Sequence, residues 1–252
     1  MCLFIGFRIE LSNVNIIKDA FESISKIVDE VKMVIDEEGF KVNALDRSHI
    51  VFVGLKLEPS VFEEYDIDVS SKIFIDTVDF MKIIKRANKS HDRLILSYND
   101  DNDLIIIFEG DTSRTFKIRL IDVEYDSPEP PSLSPPCSFA IESALLKDCL
   151  IDMELFSDVL SYKIDEEYFI AFTDGEFGDS TFKYLHGENI NEVVKSSFSI
   201  PKLKEIMSAS KFSPMVEVYL GNDMPVILNY TLETGDGHLK FLLAPRLDAE
   251  DE

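Results

Sequence analysis

Apolar residues recur along this chain with two periods, one near 3.6 and one of 2, and the switches between them mark its elements. Over residues 15–32, Ile16, Ile17, Ala20, Phe21, Ile24, Ile27, Val28 and Val31 fall on one broad face. That predicts a helix, with Ser12 or Asn13 as its N-cap. Glu37-Glu38-Gly39 turns the chain. Residues 40–57 read as two strands about an Asp46-Arg47-Ser48 turn, because Phe40, Val42 and Ala44 alternate and 50–57 is β-branched and apolar. Residues 58–71 read as a polar loop and 72–75 as a strand. Asp76 or Thr77 caps a second predicted helix reaching about Lys89, with Val78, Met81, Ile84 and Ala87 inside. Strands are predicted at 93–98, 104–109 and 114–120.

Residues 122–136 (DVEYDSPEPPSLSPP) break the pattern. Pro128, Pro130, Pro131, Pro135 and Pro136 each fix φ and remove a backbone donor, so the stretch reads as an extended, semi-rigid connector. After it the order repeats. A strand at 139–141 precedes a third amphipathic helix carrying Leu145, Leu146, Cys149, Leu150, Met153 and Phe156. Strands follow at 160–164, 168–173, 180–185 and 196–200. Pro201 opens a fourth helix ending near Ser210, and strands at 216–220, 226–232 and 238–244 finish the chain. Laying 78–87 (VDFMKIIKRA) over 200–209 (IPKLKEIMSA) sets Lys82 on Lys204 and Ile84 on Ile206. The pattern predicts a duplicated α+β unit, with domains at 1–121 and 137–247, a connector at 122–136 and an acidic tail at 248–252.

Composition narrows the class. At 252 residues and 45% hydrophobic, the chain can bury two ordinary cores, and no run approaches the ~20 apolar residues of a membrane span. The opening MCLFIGFRIEL carries its first charge, Arg8, after the apolar run, so no signal peptide is expected. Three cysteines with no Cys-x-x-Cys pair point to a reducing compartment, and so to a location inside the cell. No phosphate-binding glycine loop or nucleophile elbow occurs, and the four histidines are far apart, so no catalytic residue, metal site or cofactor is expected.

Net charge of −23 argues against nucleic acid until the placement of the bases is considered. Lys82, Lys85, Arg86 and Lys89 fall at i, i+3, i+4 and i+7 of the second helix. Lys204 and Lys211 are seven apart on the fourth, and Lys18 lies on the first. Any one stripe is ordinary for a solvated helix face. Gathered on related helices of an acidic chain, they fit weak, sequence-independent contact with phosphates. The third helix is the exception, its Lys147 lying among Asp148, Asp152 and Glu154.

Residues 39–57 (GFKVNALDRSHIVFVGLKL) and 238–247 (HLKFLLAPRL) resemble the sliding clamps of eukaryotes and archaea, the proliferating cell nuclear antigen family, in its archaeal type. Asp46-Arg47-Ser48-His49 is similar to the family's Asp-x-Ser-His turn, and Leu243-Ala244-Pro245-Arg246 to its C-terminal ending. Asn222-Asp223-Met224-Pro225 looks like the turn before its penultimate strand, and Leu120-Ile121-Asp122 like the entry to its interdomain connector. The resemblance implies a trimeric ring of six similar domains, with helices lining the hole and antiparallel sheets outside. It implies a non-enzymatic subunit that encircles duplex DNA, is placed there by a clamp loader and tethers DNA polymerase, flap endonuclease and DNA ligase through short peptide motifs.

The same resemblance implies the site residues. Lys18, Lys82, Lys85 and Lys204 match basic positions of the family's DNA-facing surface, and the stripes add Arg86 and Lys211. A partner-peptide pocket would use Leu45, His49, Ile50, Pro225, Leu242, Ala244 and Pro245, with Arg246 at the rim and Tyr125 and Leu133 from the connector. Subunits would join by pairing edge strands, Arg114, Phe116 and Ile118 of one chain meeting Thr181, Phe182 and Tyr184 of the next. Ile151 stands where such clamps often carry a base, and Pro128 and Pro130 where they carry aliphatic residues. Those departures favour a heterotrimer with related subunits over a homotrimer. A specialised or checkpoint-type clamp is the near alternative, and a carboxylate- and metal-dependent nucleic-acid enzyme the distant one. Residues 1–6 and the tail are given no role.

Overall fold

The computed structural model describes residues 6–87, 92–98, 102–123, 126–190 and 192–246. The first half runs β1 (Phe7–Leu11), α1 (Asn15–Ile27), β2 (Glu30–Asp36), β3 (Gly39–Leu45), β4 (Val51–Leu57), β5 (Glu64–Ile67), β6 (Ser71–Asp76), α2 (Thr77–Ile84), β7 (Arg93–Tyr98), β8 (Asp103–Glu109) and β9 (Ser113–Arg119). The second runs β10 (Cys137–Glu142), α3 (Ser143–Glu154), β11 (Val159–Ile164), β12 (Tyr168–Gly175), β13 (Gly178–Leu185), β14 (Val194–Ser199), α4 (Ile200–Ile206), β15 (Met215–Leu220), β16 (Val226–Thr231) and β17 (Gly237–Leu243). Short 3₁₀ turns lie at Pro59–Val61 and Met207–Lys211.

The duplication is visible strand by strand. The sheet β1-β7-β8-β9, extended by β5, has its counterpart in β10-β15-β16-β17. Likewise β4-β3-β2-β6 has its counterpart in β13-β12-β11-β14. Among the described strands only β5 lacks an equivalent. The halves fuse where β17 pairs antiparallel with β4, from Gly237 opposite Leu57 to Leu243 opposite Val51, which makes one eight-stranded sheet. The strands equivalent to β17 and β4 are β9 and β13, and these two are left as sheet edges.

Helices cover the sheets on one side. Ile17, Phe21 and Ile24 of α1 are fully buried, and Phe21 meets Phe80 of α2 at 4.7 Å and Phe40 of β3 at 6.4 Å. In the second half Tyr162 fills the equivalent space between Phe169 and Phe198. α1 also packs on α4 and on the 3₁₀ turn after it, and α3 packs on α4, so the four helices form one layer.

Several local expectations are corrected. α1 stops at Ile27, and Val31 belongs to β2, because 24, 27, 28 and 31 satisfy the helical period while Val31, Met33 and Ile35 also satisfy the strand period. Thr77 fixes the break: its Oγ1 donates to Val28 O at 2.8 Å and its N–H to Asp29 O at 2.8 Å. Val14 occupies the N-cap with no capping side chain, and Asn13 Oδ1 instead accepts from Asn15 N at 3.1 Å. β1 was not anticipated, and β5 lies in the stretch read as loop; both are short. Asp76 does cap α2, accepting from Asp79 N at 2.8 Å. That helix ends at Ile84, with Lys85 as C-cap, and Val78 is exposed while Phe80 takes the inner position. Leu145 is likewise exposed on α3. The fourth helix tightens to 3₁₀ after Ile206.

Candidate functional site

The helix layer carries the bases expected to face DNA. Lys18, Lys85 and Lys211 line one depression of about 550 Å³ together with Asp19 and Glu22. Lys204 and Lys211 line a second, of about 200 Å³, with Lys26, Lys147 and Ile151. Sequence reasoning leaves Lys26 and Lys147 out of the DNA-facing set because acids dilute each along the chain; packing of α1 and α3 against α4 brings them to the same hollow. The α2 stripe is not one continuous helix face: Lys82 is in the last turn, Lys85 is the cap, Arg86 follows it, and Lys89 lies outside the described residues.

Three of these bases already hold carboxylates. Lys82 Nζ is 2.7 Å from Asp79, Lys204 Nζ is 2.6 Å from Glu154, and Lys211 Nζ is 2.8 Å from Glu22. The Lys211 hydrogen bond holds the Glu22 carboxyl below its ordinary pKa against the opposing effect of burial. The face is a lattice of exchangeable ion pairs with exposed lysines between them, Lys85 among them.

The turn between β3 and β4 is built around Asp46. Its Oδ1 accepts from Ile50 N at 2.7 Å and Val51 N at 2.9 Å, its Oδ2 accepts from Ser48 Oγ, and Lys202 Nζ of α4 lies 3.5 Å away. Burial pushes the Asp46 carboxyl up, but these donors together hold it below its ordinary value. His49 takes a positive φ of 58° so that the chain can close on Val51. Leu45, His49 and Ile50 are thereby turned out to solvent. Ala244 N donates to Ile50 O at 2.9 Å, which brings Pro245 beside the turn, and Arg246 N donates to Ser197 O at 2.7 Å.

The connector divides this region. Its half-buried Leu133 packs on a small cluster of Phe52, Ile227 and Leu242. Leu242 is therefore a covered floor at 4% exposure and does not line an open pocket. A cleft of about 590 Å³ opens between connector and turn, where Leu45, Asp46 and Arg47 face Asp126, Pro128 and Lys202. Of the expected pocket residues only Leu45 lines it. His49, Ile50, Pro225, Ala244, Pro245 and Arg246 stand outside it, and Tyr125 lies outside the described residues.

The edge strands carry the residues expected at the subunit contact. Arg114 on β9 is engaged within its own chain: it pairs with buried Asp92, donates from Nη1 to Arg86 O at 3.0 Å and lies 5.3 Å over the Phe108 ring. Phe116 packs edge-on to Phe108 and Ile118 is buried. On β13, Thr181 is exposed, and Phe182 and Tyr184 pack half-buried against the core. Among the described residues no group of three or more His, Cys, Asp or Glu converges as metal ligands, and no helix is long and apolar enough to cross a membrane.

A duplicated α+β unit with one helix layer, sheets behind it and two complementary bare edges defines a protein of the clamp class. The family model for the proliferating cell nuclear antigen N-terminal domain matches residues 6–129, and that for its C-terminal domain residues 152–246. A DNA polymerase sliding clamp of Methanobrevibacter smithii is 54% identical over 97% of this chain and its own whole length. One of Methanothermobacter thermautotrophicus is 46% identical over the same shares. The crystal structure of the antigen from Thermococcus kodakaraensis superposes with a TM-score of 0.89 at 25% identity, covering 95% of this chain and 100% of that one. That from Entamoeba histolytica shares the fold, with a TM-score of 0.90 at 23% identity, 98% of this chain and 100% of that one being covered. The chain belongs to the proliferating cell nuclear antigen family of sliding clamps.

Proposed function

We propose that three copies of this chain close a ring around duplex DNA, with the helix layer inward, and that the ring tethers a DNA polymerase and other replication and repair enzymes without catalysing a reaction itself. The units are residues 1–121 and 137–247, joined by the connector 122–136. One observation carries the reading. The β17·β4 seam inside the chain is half of a duplicated arrangement whose other half, β9 and β13, is left unpaired. Pairing β9 of one chain with β13 of the next repeats the internal seam and closes a ring of six units.

The duplication also supports one register for that contact. Leu239, Phe241 and Leu243 of β17 correspond to Arg114, Phe116 and Ile118 of β9, judged by their partners on β16 and β8. Val53 and Leu55 of β4 correspond to Ser180 and Phe182 of β13, judged by their partners on β3 and β12. Transferring the β17·β4 register sets Thr115 opposite Thr181 and Lys117 opposite Asp179. Opposite charges meeting across this edge support closure by copies of the same chain over a heterotrimer.

In this ring Lys18, Lys82, Lys85, Arg86, Lys204 and Lys211 face phosphates, and Lys26 and Lys147 join them. Leu45, His49, Ile50, Pro225, Ala244 and Pro245 present an apolar surface beside the connector for aromatic and aliphatic anchors of partner peptides. A clamp loader opens the ring, and flap endonuclease and DNA ligase share the site with polymerase. Loading the protein on nicked circular DNA with a loader and then linearising the circle tests the topology: the ring must slide off. Retention on the linear form overturns encirclement, and a protein that sizes as a monomer at micromolar concentration overturns closure by identical chains.

A further inference from the structure

A second cleft lies on the outer face of the eight-stranded sheet, across the connector from the Asp46 turn. Pro128 lines the first cleft and Pro130 the second. The second has a volume of about 440 Å³ and is walled by Lys41, Lys56, His238 and Lys240. The register puts these bases together. Lys41 stands opposite Lys56 and Lys56 opposite His238, three basic side chains on one rung of adjacent strands. On the next rung of the same face, Lys240 stands between Gly54 and Asn229. A directly opposed like-charge pair is destabilising, and here Lys41 and Lys56 form one on a chain of net charge −23.

Local acids do not quench this row evenly. Lys41 is held by Glu38 at 2.6 Å and Asp36 at 3.2 Å. Among the described residues Lys56 reaches only Glu58, at 4.0 Å, and Lys240 has no ion pair. The floor is open at Gly54, where an added Cβ would come within 3.2 Å of both Asn43 Oδ1 and the Phe52 ring. Asn229 Nδ2 donates to Glu217 at 2.8 Å, which fixes the amide, and its Oδ1 is shielded from solvent and accepts no hydrogen bond in the protein.

We propose that this groove binds an acidic peptide segment of a partner protein, its carboxylates meeting Lys56 and Lys240. Charge decides between polyanions: a chain of net charge −23 repels a densely charged phosphodiester chain more than a short acidic segment that needs only two lysines. The connector acids Asp126 and Glu129 also stand close to Pro130 in the chain and repel a long nucleic acid more than a few carboxylates. Phe52 belongs both to the groove and to the cluster under Leu133, so a segment leaving the groove reaches the connector directly. The proposal rests on the partner-binding reading only for the source of that segment.

Fluorescence anisotropy at low salt with labelled hexaglutamate, hexaglutamine and a 12-nucleotide oligothymidylate tests it. Hexaglutamate should bind the intact ring, hexaglutamine should not, and the variant carrying Lys56→Gln and Lys240→Gln should bind hexaglutamate about fivefold more weakly, two exposed pairs being removed. Amide shifts of Gly54 and Lys240 on titrating the unmodified protein provide a readout that needs no variant. Equal binding of hexaglutamine, unchanged binding by the double variant, absence of shifts at those amides, or oligothymidylate outcompeting hexaglutamate overturns the proposal. An aromatic- and aliphatic-anchored peptide is titrated separately. Its failure to bind while hexaglutamate still does removes the apolar partner surface and leaves the groove.

Discussion

Lys202, at the start of α4 in the second half of the chain, lies 3.5 Å from Asp46, which organises the β3–β4 turn of the first half. The carboxylate joins the two halves and at once shapes the surface proposed for partners, since the same group holds the amides of Ile50 and Val51. Asp46→Ala should cost about 2 kcal/mol, the order expected when buried hydrogen bonds to a charged group are lost. Partner-peptide affinity should fall more than ring assembly does. Paired thermal unfolding and peptide titration check both. The sign of the pH effect follows from the depressed carboxyl. The stability Asp46 contributes is fully present above its ordinary value of 3.8 and is lost as pH falls through the lower, folded value. The gap in melting temperature between wild type and Asp46→Asn should therefore stay constant from neutral pH to about 5 and close only in stronger acid.

On the helix layer, the ion pairs rank the lysines. Lys82 is held by Asp79, whereas Lys85 opens on the depression it shares with Lys18 and Lys211. Lys85→Glu should shorten residence on DNA more than Lys82→Glu, with folding unchanged. Glu22→Gln should act in the opposite direction, because it frees Lys211 from its 2.8 Å pair and removes a charge that repels phosphate. Each lysine recruited should add about one unit to the slope of log affinity against log salt. Salt titrations of clamp residence on circular DNA measure all three. Identical slopes for Glu22→Gln and wild type would remove the idea that the acids compete with phosphate.

Elements with one unambiguous period were legible in the sequence: β3 and β4, the three closing strands, and α3 with its buried Leu146, Cys149 and Met153. The end of α1 was not, because 24, 27, 28 and 31 fit either period and only the Thr77 bonds to Val28 and Asp29 decide between them. Strands of four or five residues such as β1 and β5 fall below the length at which alternation can be counted. The turn at Asp46 was found by motif, but its tie to Lys202 joins residues far apart in the chain and has no local trace. Lys26 and Lys147 were hidden by the same effect: each lies among acids along the chain, and only the packing of the helices brings the two together with Lys204 and Lys211 in one hollow.

The buried thiols should be inert. Burial raises Cys149 to about 12, with Asp152 adding to it, and burial also raises Cys137. Both thiolates are thus scarce at neutral pH, and both side chains are nearly closed to solvent. Iodoacetamide should leave Cys137 and Cys149 unlabelled over hours in the folded protein and label both in denaturant. Site-resolved mass spectrometry makes the comparison. Rapid labelling of Cys149 in native conditions would mean that α3 opens readily from the core.

The sharpest test concerns the register of the ring contact. Asp179 faces Asp174 across its own hairpin, a like-charge pair that an incoming lysine would relieve, and in the proposed ring the duplicated register would bring Lys117 of the neighbouring chain to it. Asp179→Lys should set two lysines against each other at all three contacts. Opposed charges cost up to about 1 kcal/mol each, so three together should lower the overall assembly constant by roughly a hundredfold. Lys117→Asp alone should weaken assembly comparably, by adding a third carboxylate. The double swap should restore the ring, because the opposite-charge pair is re-formed with its members exchanged. Sedimentation equilibrium over a range of protein concentration reads all four proteins. A double swap as weak as either single change would mean that β9 and β13 pair in another register than β17 and β4.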